Sequence, residues 1–318
     1  AVVRTSYSAE AGVRALGKNI SPTCYPFGTM TPMWTWTESY MYASLGIPTI
    51  ESFYEGKGAD FWPSYHSSSD TREAANYSDE AFHSSHVLYG TLLQRLDNLP
   101  VRDMDFGALL KRLQNSLKNV PAEHEQLKTI LNDLIPAAQK LKEIQTVCTE
   151  FTPEALNLNQ HVASLFRLAF RGLYSIDWNE RLDFLHMQNL HNIRQLESAI
   201  HHAQEEQWDT VIREDLDTVD LCRYAFSFEK KAYDKLAAQV IGEQIVPTWG
   251  SGQVTSLADL YDCCQELNRL SSGNFSSEKG KDWIVEKLYA EKEKQLIELK
   301  IELQKELKVL QTFQAQLY

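Results

Sequence analysis

The C-terminal stretch of the chain carries the pattern that most constrains its fold. Apolar residues recur there at helical spacing, while Glu and Lys alternate on the opposite face. The apolar positions are Trp283, Ile284, Leu288, Leu296, Ile297, Leu299, Ile301, Leu303, Leu307, Leu310 and Phe313. The pattern predicts an amphipathic helix of up to about 40 residues, roughly 60 Å long. Because so long a helix is stable only when it packs along its length, we expect the rest of the chain to supply helical partners.

The sequence before this helix is also dominated by helical patterns, starting near residue 103. We predict helices near residues 105–119, 121–148, 153–173, 178–206, 208–241, 254–271 and 277–316. Pro121 and Pro153 suit first-turn positions, whereas Pro136 is expected to kink or split its helix. The predicted fold class is therefore mostly α. It comprises a partial α/β segment in residues 1–98, followed by an all-α helical-bundle domain in residues 99–318 that ends in the long helix.

The N-terminal segment is rich in Trp, Tyr, Pro and Thr and has a different character. Ile47–Ser52 is apolar and β-branched, which predicts a short buried strand. Thr37 or Thr35 is expected to cap a short helix that Gly46 ends. A single strand leaves its backbone groups unpaired. We therefore expect residues 1–98 to be the C-terminal portion of a larger α/β domain whose other strands lie elsewhere.

Charge and composition exclude several classes of partner. The 318 residues carry a formal charge of −12 and no cluster of Lys and Arg, which argues against a nucleic-acid partner. No apolar run approaches the roughly 18 residues of a membrane span, so we expect no membrane partner. The five cysteines are odd in number and scattered. They predict reduced and mostly buried thiols, which favours a reducing compartment such as the cytoplasm.

Two short motifs in the N-terminal segment point to a chemistry. L-G-I-P-T-I-E-S occupies residues 45–52, and F-W-P-S-Y-H-S-S-S-D-T occupies residues 61–71. At this spacing the pair resembles the last metal-binding segment of the co-catalytic zinc aminopeptidase and glutamate carboxypeptidase family, the transferrin-receptor-like peptidases. In that family, a strand carrying G-I-P leads into a loop whose histidine binds zinc. The resemblance covers about residues 34–98 and implies that His66 is a zinc ligand.

The neighbours of His66 can be assigned supporting roles on the same basis. The substrate-side candidates are Tyr65, Glu38, Phe61 and Trp62, of which Tyr65 is also placed to donate a hydrogen bond to an oxyanion. Asp70 is a candidate to hold the loop or to orient the His66 imidazole. Plainer alternatives remain open: the aromatic residues form ordinary packing, and His66 is a loop imidazole hydrogen-bonded to Asp70.

A two-zinc hydrolase needs more groups than this segment contains. Besides its terminal ligands, it requires a bridging carboxylate and a glutamate that accepts a proton from the metal-bound water. In the family that the motifs resemble, these groups come from segments before the final histidine. The residues before His66 contain no histidine and no Glu-Glu pair. We therefore expect a C-terminal fragment of a longer zinc enzyme, inactive alone, or else a non-catalytic relative.

Other groupings of reactive residues favour structural interpretations. The histidines of the predicted helix 178–206 are interpreted as surface residues, because that helix lacks the Glu-x-x-His pairs of a di-iron bundle. They are His186, His191, His201 and His202. His83 and His86 are interpreted in the same way, and Cys263–Cys264 as one core residue and its neighbour. The chain has no G-x-S-x-G motif, Walker loop or G-x-G-x-x-G motif.

Two functions of different classes remain. In the first, the parent polypeptide is a zinc-dependent exopeptidase that binds a peptide or peptide-like substrate and attacks the amide with metal-bound hydroxide. In the second, the chain is a non-catalytic helical scaffold or dimerisation module, as the Leu and Ile stripe of the last helix suggests. The two are compatible if the helical domain pairs two copies, and we expect a homo-oligomer formed through that domain.

Overall fold

The computed structural model describes residues 2–18, 20, 27–35, 37–53, 66–71, 73, 79–176, 182–241, 257–273 and 279–317. Within these ranges the chain is mostly α-helical with two small sheets, which confirms the predicted fold class. None of the helices in these ranges is both long and apolar enough to cross a bilayer.

The described N-terminal residues form a three-stranded mixed sheet. Its strands are β1 (Val2–Thr5), β2 (Gly28–Met30) and β3 (Ile50–Phe53). The order is β2-β1-β3, with β2 parallel and β3 antiparallel to β1. The expectation of a single strand was therefore wrong. β1 and β2 are only four and three residues long, which is too short for hydrophobic alternation to reveal them.

Three helices accompany this sheet. They are α1 (Glu10–Gly17), α2 (Glu38–Ser44) and α3 (Asp79–Asp97). Gly46 ends α2 as predicted, because its φ of 83° is a left-handed conformation that glycine adopts without strain. Gly46 N–H donates to Ala43 O and Ile47 N–H to Tyr42 O, the two bonds of a Schellman motif. Thr37 is the N-cap residue of α2, but its hydroxyl makes no capping bond.

The remaining helices form the bundle. They are α4 (Phe106–Ser116), α5 (Glu125–Val147), α6 (Pro153–Leu173), α7 (Leu185–Gln204), α8 (Trp208–Thr210), α9 (Cys222–Ala225), α10 (Lys230–Ile241), α11 (Tyr261–Ser271) and α12 (Gly280–Leu317). A hairpin of β4 (Tyr174–Ile176) and β5 (Leu182–Phe184) separates α6 from α7. α5 is continuous through Pro136, so the predicted split does not occur.

The predicted single helix over residues 208–241 is broken into several pieces. α8 runs into a π-helical segment, Val211–Asp215, and a turn then leads to α9. Asp215 and Asp220 both lie in the interior, and Asp220 has a left-handed φ of 40°. Turning these acids inward lets them reach hydrogen-bond donors on neighbouring elements, which a continuous helix does not allow.

Two apolar cores stabilise the described fold, and α12 contributes to both. The larger core joins the sheet, α1–α6, the hairpin, the start of α7 and the C-terminal half of α12. The smaller core joins the end of α7, α8–α11 and the start of α12. The larger core includes Val3 and Tyr40 as well as Phe166 and Phe313, so it contains residues from both sides of residue 99. The domain boundary itself stays a prediction.

The buried face of α12 repeats with an unusual period. Leu288, Leu299 and Leu310 are each 0% exposed and lie eleven residues apart. An 11-residue repeat gives 3.67 residues per turn, which keeps one face of a nearly straight helix in contact with its partners. α7 and α6 are among those partners. Ile297 and Ile301 fall outside this repeat and are 62% and 46% exposed, although both belong to the predicted apolar stripe.

Candidate metal-ligand turn and a buried polar ring

His66 lies in an exposed turn that includes residues 66–71. Its φ of 58° places the backbone in the left-handed region, which few non-glycine residues adopt. The His66 main-chain N–H donates to Asp70 Oδ2 at 3.4 Å, and the Asp70 N–H donates to Ser67 O at 3.1 Å. Ser69 N–H also donates to Ser67 Oγ at 3.2 Å. These bonds close the turn and present His66 at the surface.

Asp70 therefore holds the main chain of this turn through the His66 amide. Its predicted action on the His66 imidazole stays a prediction. Glu38 lies in the first turn of α2 and is exposed. Tyr65, Phe61 and Trp62, the other substrate-side candidates, lie outside the described residues.

Near Glu38, a second carboxylate is partly withdrawn from solvent. Thr37 Oγ1 donates to Glu51 Oε2 at 2.6 Å, which ties the start of α2 to strand β3. Burial raises the pKa of Glu51, and the negative charge of Glu38 raises it further, against the lowering effect of the Thr37 bond. The pairing shows why the Thr37 hydroxyl does not cap α2.

The described residues do not assemble a metal site around His66. Among them, no group of three or more His, Cys, Asp and Glu side chains is arranged to hold a metal ion. His66 is a single candidate ligand there, whereas a catalytic zinc takes three protein ligands and keeps a position for water. The donor set on the described part of the chain therefore does not by itself fit a zinc centre.

The prediction that the histidines of α7 are surface residues was wrong for His186, and His191 and His202 are only partly exposed. His186 is 0% exposed, and its Nδ1 lies 2.8 Å from Oε1 of Glu306 on α12. His191 Nε2 lies 3.0 Å from Thr218 Oγ1. His202 Nδ1 lies 2.8 Å from Asp215 Oδ2. Their polar partners are distant in sequence, so helical spacing alone did not reveal them.

A closed ring of hydrogen bonds lies between α7, α12 and the segment before α11. Asp220 Oδ2 accepts from Ala258 N–H at 2.6 Å, and Asp220 Oδ1 accepts from Asn192 Nδ2 at 3.0 Å. Asn192 Nδ2 also donates to Gln295 Oε1 at 3.1 Å. Gln295 Nε2 donates to Glu291 Oε1 at 2.9 Å. Glu291 Oε2 accepts from the N–H of Asp259, the residue after Ala258, at 3.2 Å and closes the ring.

We refer to Asp220, Asn192, Gln295, Glu291 and the main-chain N–H groups of Ala258 and Asp259 as the polar ring. All four side chains are buried. Burial raises the pKa of Asp220 to about 6, although three hydrogen-bond donors favour its ionised form and lower it. Burial also raises the pKa of Glu291. Two carboxylates with raised pKa values therefore lie in one hydrogen-bonded unit.

The polar ring was not predicted from the sequence, but a signal for it exists. Asn189 and Asn192 lie on the face of α7 that contacts α12, where Leu196 and Ile193 are also buried. On α12, the buried repeat includes Glu291, Gln295, Glu302 and Glu306 among its leucines. Polar residues at core positions of two helices indicate that the helices pair through hydrogen bonds.

Buried thiols form the last cluster. Cys222, Cys263 and Cys264 are buried free thiols and Cys148 is a half-buried one, in agreement with the prediction of reduced, mostly buried cysteines. Cys263 and Cys264 both belong to the smaller core, so the interpretation as one core residue and its neighbour was wrong. Burial raises the pKa of Cys263 to about 12, which favours the unreactive thiol form.

Comparisons with protein-family models, with curated proteins and with solved structures each return no match to this chain.

Proposed function

We propose that this chain is the C-terminal part of a zinc-dependent exopeptidase in which His66 is the last metal ligand. One observation carries the proposal: the motifs G-I-P and Y-H-S-S-S-D-T occur at the family spacing, with His66 in a turn closed by Asp70. When bound, zinc would supply the Lewis acidity that hydrolysis of an amide needs. His66 would contribute one nitrogen ligand, and Asp70 fixes the turn that carries it.

The backbone of His66 supports this role. A left-handed residue other than glycine costs about 1 kcal/mol or more, and such strain concentrates at functional sites. His66 keeps a φ of 58° at an exposed position, in a turn that its main-chain bond to Asp70 closes. A turn that holds the histidine ready for a metal is consistent with this strain.

The edges of the three-stranded sheet favour the presence of further strands beside it. Within the described ranges, β2 and β3 each pair only with β1, so one edge of each strand has no strand partner there. Exposed strand edges are normally paired or covered. We propose that strands carrying the remaining zinc ligands and the general base pair along these edges.

Helix α3 supports the same conclusion through its two apolar faces. Leu88 and Leu92 are each 1% exposed and pack into the larger core. Phe82, Tyr89 and Leu93 lie on another face, are 54%, 41% and 65% exposed, and are spaced as on a helix seam. A helix that is apolar on two faces is usually packed on both. The proposed remainder of the α/β domain covers this second face.

The test uses the complete product of the gene that encodes this chain, purified with its bound metal. We expect about two zinc ions per polypeptide and release of N-terminal or C-terminal residues from short peptides. His66→Ala should lower kcat/KM by at least about 100-fold, because the loss of an outer-shell partner alone costs 10–100-fold. The matched control is His83→Ala, since His83 is an exposed histidine on α3 that is not among the proposed metal ligands.

Three results contradict the proposal. One is a complete gene product that holds no zinc and cleaves no peptide. Another is equal zinc content and equal activity in the His66→Ala and His83→Ala variants. The 318-residue chain alone should hydrolyse nothing, and zinc-dependent hydrolysis by the pure chain also contradicts the account.

A second function, pairing of two copies through the helical part, is favoured by one surface. Tyr289, Ile297 and Ile301 on α12 are 45%, 62% and 46% exposed and line one side of a 38-residue helix. Burial of such residues in a homodimer is favourable by about 25 cal/mol per Å². We expect a dimeric mass in light scattering and a monomeric mass for the Ile297→Glu, Ile301→Glu variant. A monomeric mass for the unaltered chain at high concentration excludes this function.

A further inference from the structure

The polar ring holds one specific segment of the chain, Leu257–Leu260, which precedes α11. Asp220 accepts the N–H of Ala258, and Glu291 accepts the N–H of Asp259. Lys294 Nζ donates to the carbonyl oxygen of Leu257 at 2.9 Å. Polar side chains thus hydrogen-bond to the main chain of the three consecutive residues 257–259, and two of these side chains, Asp220 and Glu291, are buried carboxylates.

The charges around this segment are unbalanced. Lys294 is the cation that the described contacts place on the polar ring, at 3.3 Å from Glu291, and its side chain is 42% exposed. Asp220 instead faces neutral donors: Asn192 and Gln188 on α7 and the Ala258 amide. Two negative charges in one buried unit with one half-exposed cation repel each other.

The other titratable groups that the described contacts place near Asp220 are acids, thiols and a phenol, with His191 near the start of the same turn. Cys222 on α9 and Tyr233 on α10 are neutral in their protonated forms. A hydrogen bond with Cys264, together with burial, raises the pKa of Cys222, and burial raises the pKa of Tyr233. Glu291 on α12 and Asp259 before α11 are acids, and Cys264 on α11 is a buried thiol. His191 on α7 contacts Thr218, two residues before Asp220.

Gln188 gives the site a way to hold a proton. Its Nε2 donates to Asp220 Oδ1, whereas its buried Oε1 has no hydrogen-bond partner among the described residues. The two ends of an amide exchange places by a half-turn of the side chain. After that half-turn, Gln188 Oε1 accepts a hydrogen bond from a protonated Asp220, while Asp220 Oδ2 still accepts the Ala258 N–H. The half-turn gives up the bond that Gln188 Nε2 donates to Asn192 Oδ1 at 2.9 Å, so the protonated state keeps the backbone and exchanges one side-chain bond for another.

We propose that Asp220 and Glu291 form a proton-operated latch on Leu257–Leu260, firmly closed while Asp220 is protonated and loosened when both carboxylates are ionised. The latch would regulate how tightly α11 is docked against α7 and α12. It uses no metal and no ligand besides the proton, and it does not depend on the function proposed for His66.

The direction of the pH effect follows from the two states of Asp220. The closed segment holds the pKa of Asp220 at about 6, against a value of 3.8 for a solvated carboxyl. Because the closed form binds the proton more tightly, its added stability is complete below about pH 4 and is lost as pH rises to about 6. The opening equilibrium should increase by up to about tenfold per pH unit across this window, about 100-fold in total.

Hydrogen exchange read by mass spectrometry tests the latch in the full chain. The peptide that covers residues 257–264 is followed from about pH 4 to 7.5, and each rate is divided by the intrinsic rate for that pH. We expect its protection to fall with rising pH, while the central turns of α5 stay unchanged. Constant protection of residues 257–264 over the whole range overturns the proposal.

Asp220→Asn provides the decisive variant, because it removes the titrating group and its charge. Its oxygen accepts the Ala258 N–H, and its amide nitrogen donates to the rotated Gln188 but no longer accepts the bond from Asn192 Nδ2. Protection in this variant should be independent of pH, whereas the matched control Asp217→Asn, an exposed residue of the same turn, should behave like the unaltered chain. An Asp220→Asn variant that keeps the pH slope overturns the proposal.

A measurement on the unaltered side chain keeps the proposal testable if Asp220→Asn does not fold. Carbon-13 labelling of aspartate gives the titration midpoint of the Asp220 carboxyl directly, and we expect a value near 6. Glu291→Gln should shift that midpoint to lower pH because it removes the neighbouring negative charge. A midpoint at the ordinary value for aspartate, or no shift in the Glu291→Gln variant, excludes the latch.

Discussion

The buried pair of His186 and Glu306 gives a sharp prediction about how α12 holds the bundle together. Both side chains are 0% exposed. Glu306 Oε1 lies 2.8 Å from His186 Nδ1 and accepts the His186 main-chain N–H at 3.3 Å. His186 is the second residue of α7, and the N-cap residue Phe184 has no side-chain cap. Glu306 therefore replaces the missing cap from another helix and places a carboxylate at the positive end of α7.

The magnitude of this contribution follows from what each substitution removes. Glu306→Ala leaves the His186 amide and the imidazole without their shared acceptor in a dry interior. Each unsatisfied buried donor costs about 1–3 kcal/mol, so the total should be about 3–5 kcal/mol. Glu306→Gln keeps an oxygen at the position that serves both donors but replaces Oε2, which lies 3.0 Å from His186 Nδ1, by an amide nitrogen. This change should cost about 1–2 kcal/mol.

Urea denaturation followed by circular dichroism at neutral pH measures these differences, provided that the m values agree. The matched control is Glu293→Ala on the exposed face of α12, which should change the free energy of unfolding by less than about 0.5 kcal/mol. The double variant His186→Phe, Glu306→Leu should be more stable than Glu306→Ala, because it removes the unpaired imidazole and fills the space, leaving only the main-chain N–H of residue 186 without its acceptor. Equal stability of the Glu306→Ala and Glu293→Ala variants refutes the reasoning.

Two further predictions concern glycine and the core, and thermal unfolding checks both. Gly46→Ala should destabilise the fold by about 2 kcal/mol or more, since φ is 83° and a Cβ there collides with the Arg167 side chain. Gly90→Ala, inside α3 with open space for a Cβ, should instead stabilise the fold by about 0.5–1 kcal/mol. The same sign for both variants contradicts the backbone argument. Phe313→Ala should lower the free energy of unfolding by about 3–5 kcal/mol, because Phe313 is 0% exposed. Phe151 is 72% exposed, so Phe151→Ala should lower it by less than about 0.5 kcal/mol. Similar losses in the two variants contradict the assignment of the larger core.

The helices could be predicted from the sequence because their signals are local. Thr152 caps α6 by accepting the Ala155 N–H at 3.2 Å, and Pro153 occupies the first turn, as its position predicts. Gly46 ends α2 for an equally local reason, its left-handed φ. Such features depend on a few neighbouring residues, so one sequence is enough to reveal them.

The orientation of α12 could not be predicted, because partner helices decide it. Hydrophobicity alone placed Ile297 and Ile301 on the inner face, yet both are exposed. Glu302 and Glu306 lie on that face instead, because their positions fall on the 11-residue repeat of buried residues. The carboxylate of Glu306 is hydrogen-bonded there by His186 on α7. Long-range polar pairs of this kind leave no periodic signal in one chain.

The two candidate sites also differ in how far apart their residues lie in the sequence. The turn around His66 was predicted because its residues are contiguous, Y-H-S-S-S-D-T, and its closing bond joins residues four positions apart. The polar ring joins Asp220 with Asn192 on one side and Ala258 on the other, across separations of 28 and 38 residues. No spacing rule connects positions so far apart before the fold is known.

The most direct test of the His66 proposal is the anomalous scattering of a crystal of the complete gene product, recorded on both sides of the zinc absorption edge. The account predicts a zinc peak at about 2.0–2.1 Å from an imidazole nitrogen of His66, with carboxylate ligands from segments outside these 318 residues. A zinc site that does not include His66, or a crystal with no zinc peak, contradicts it.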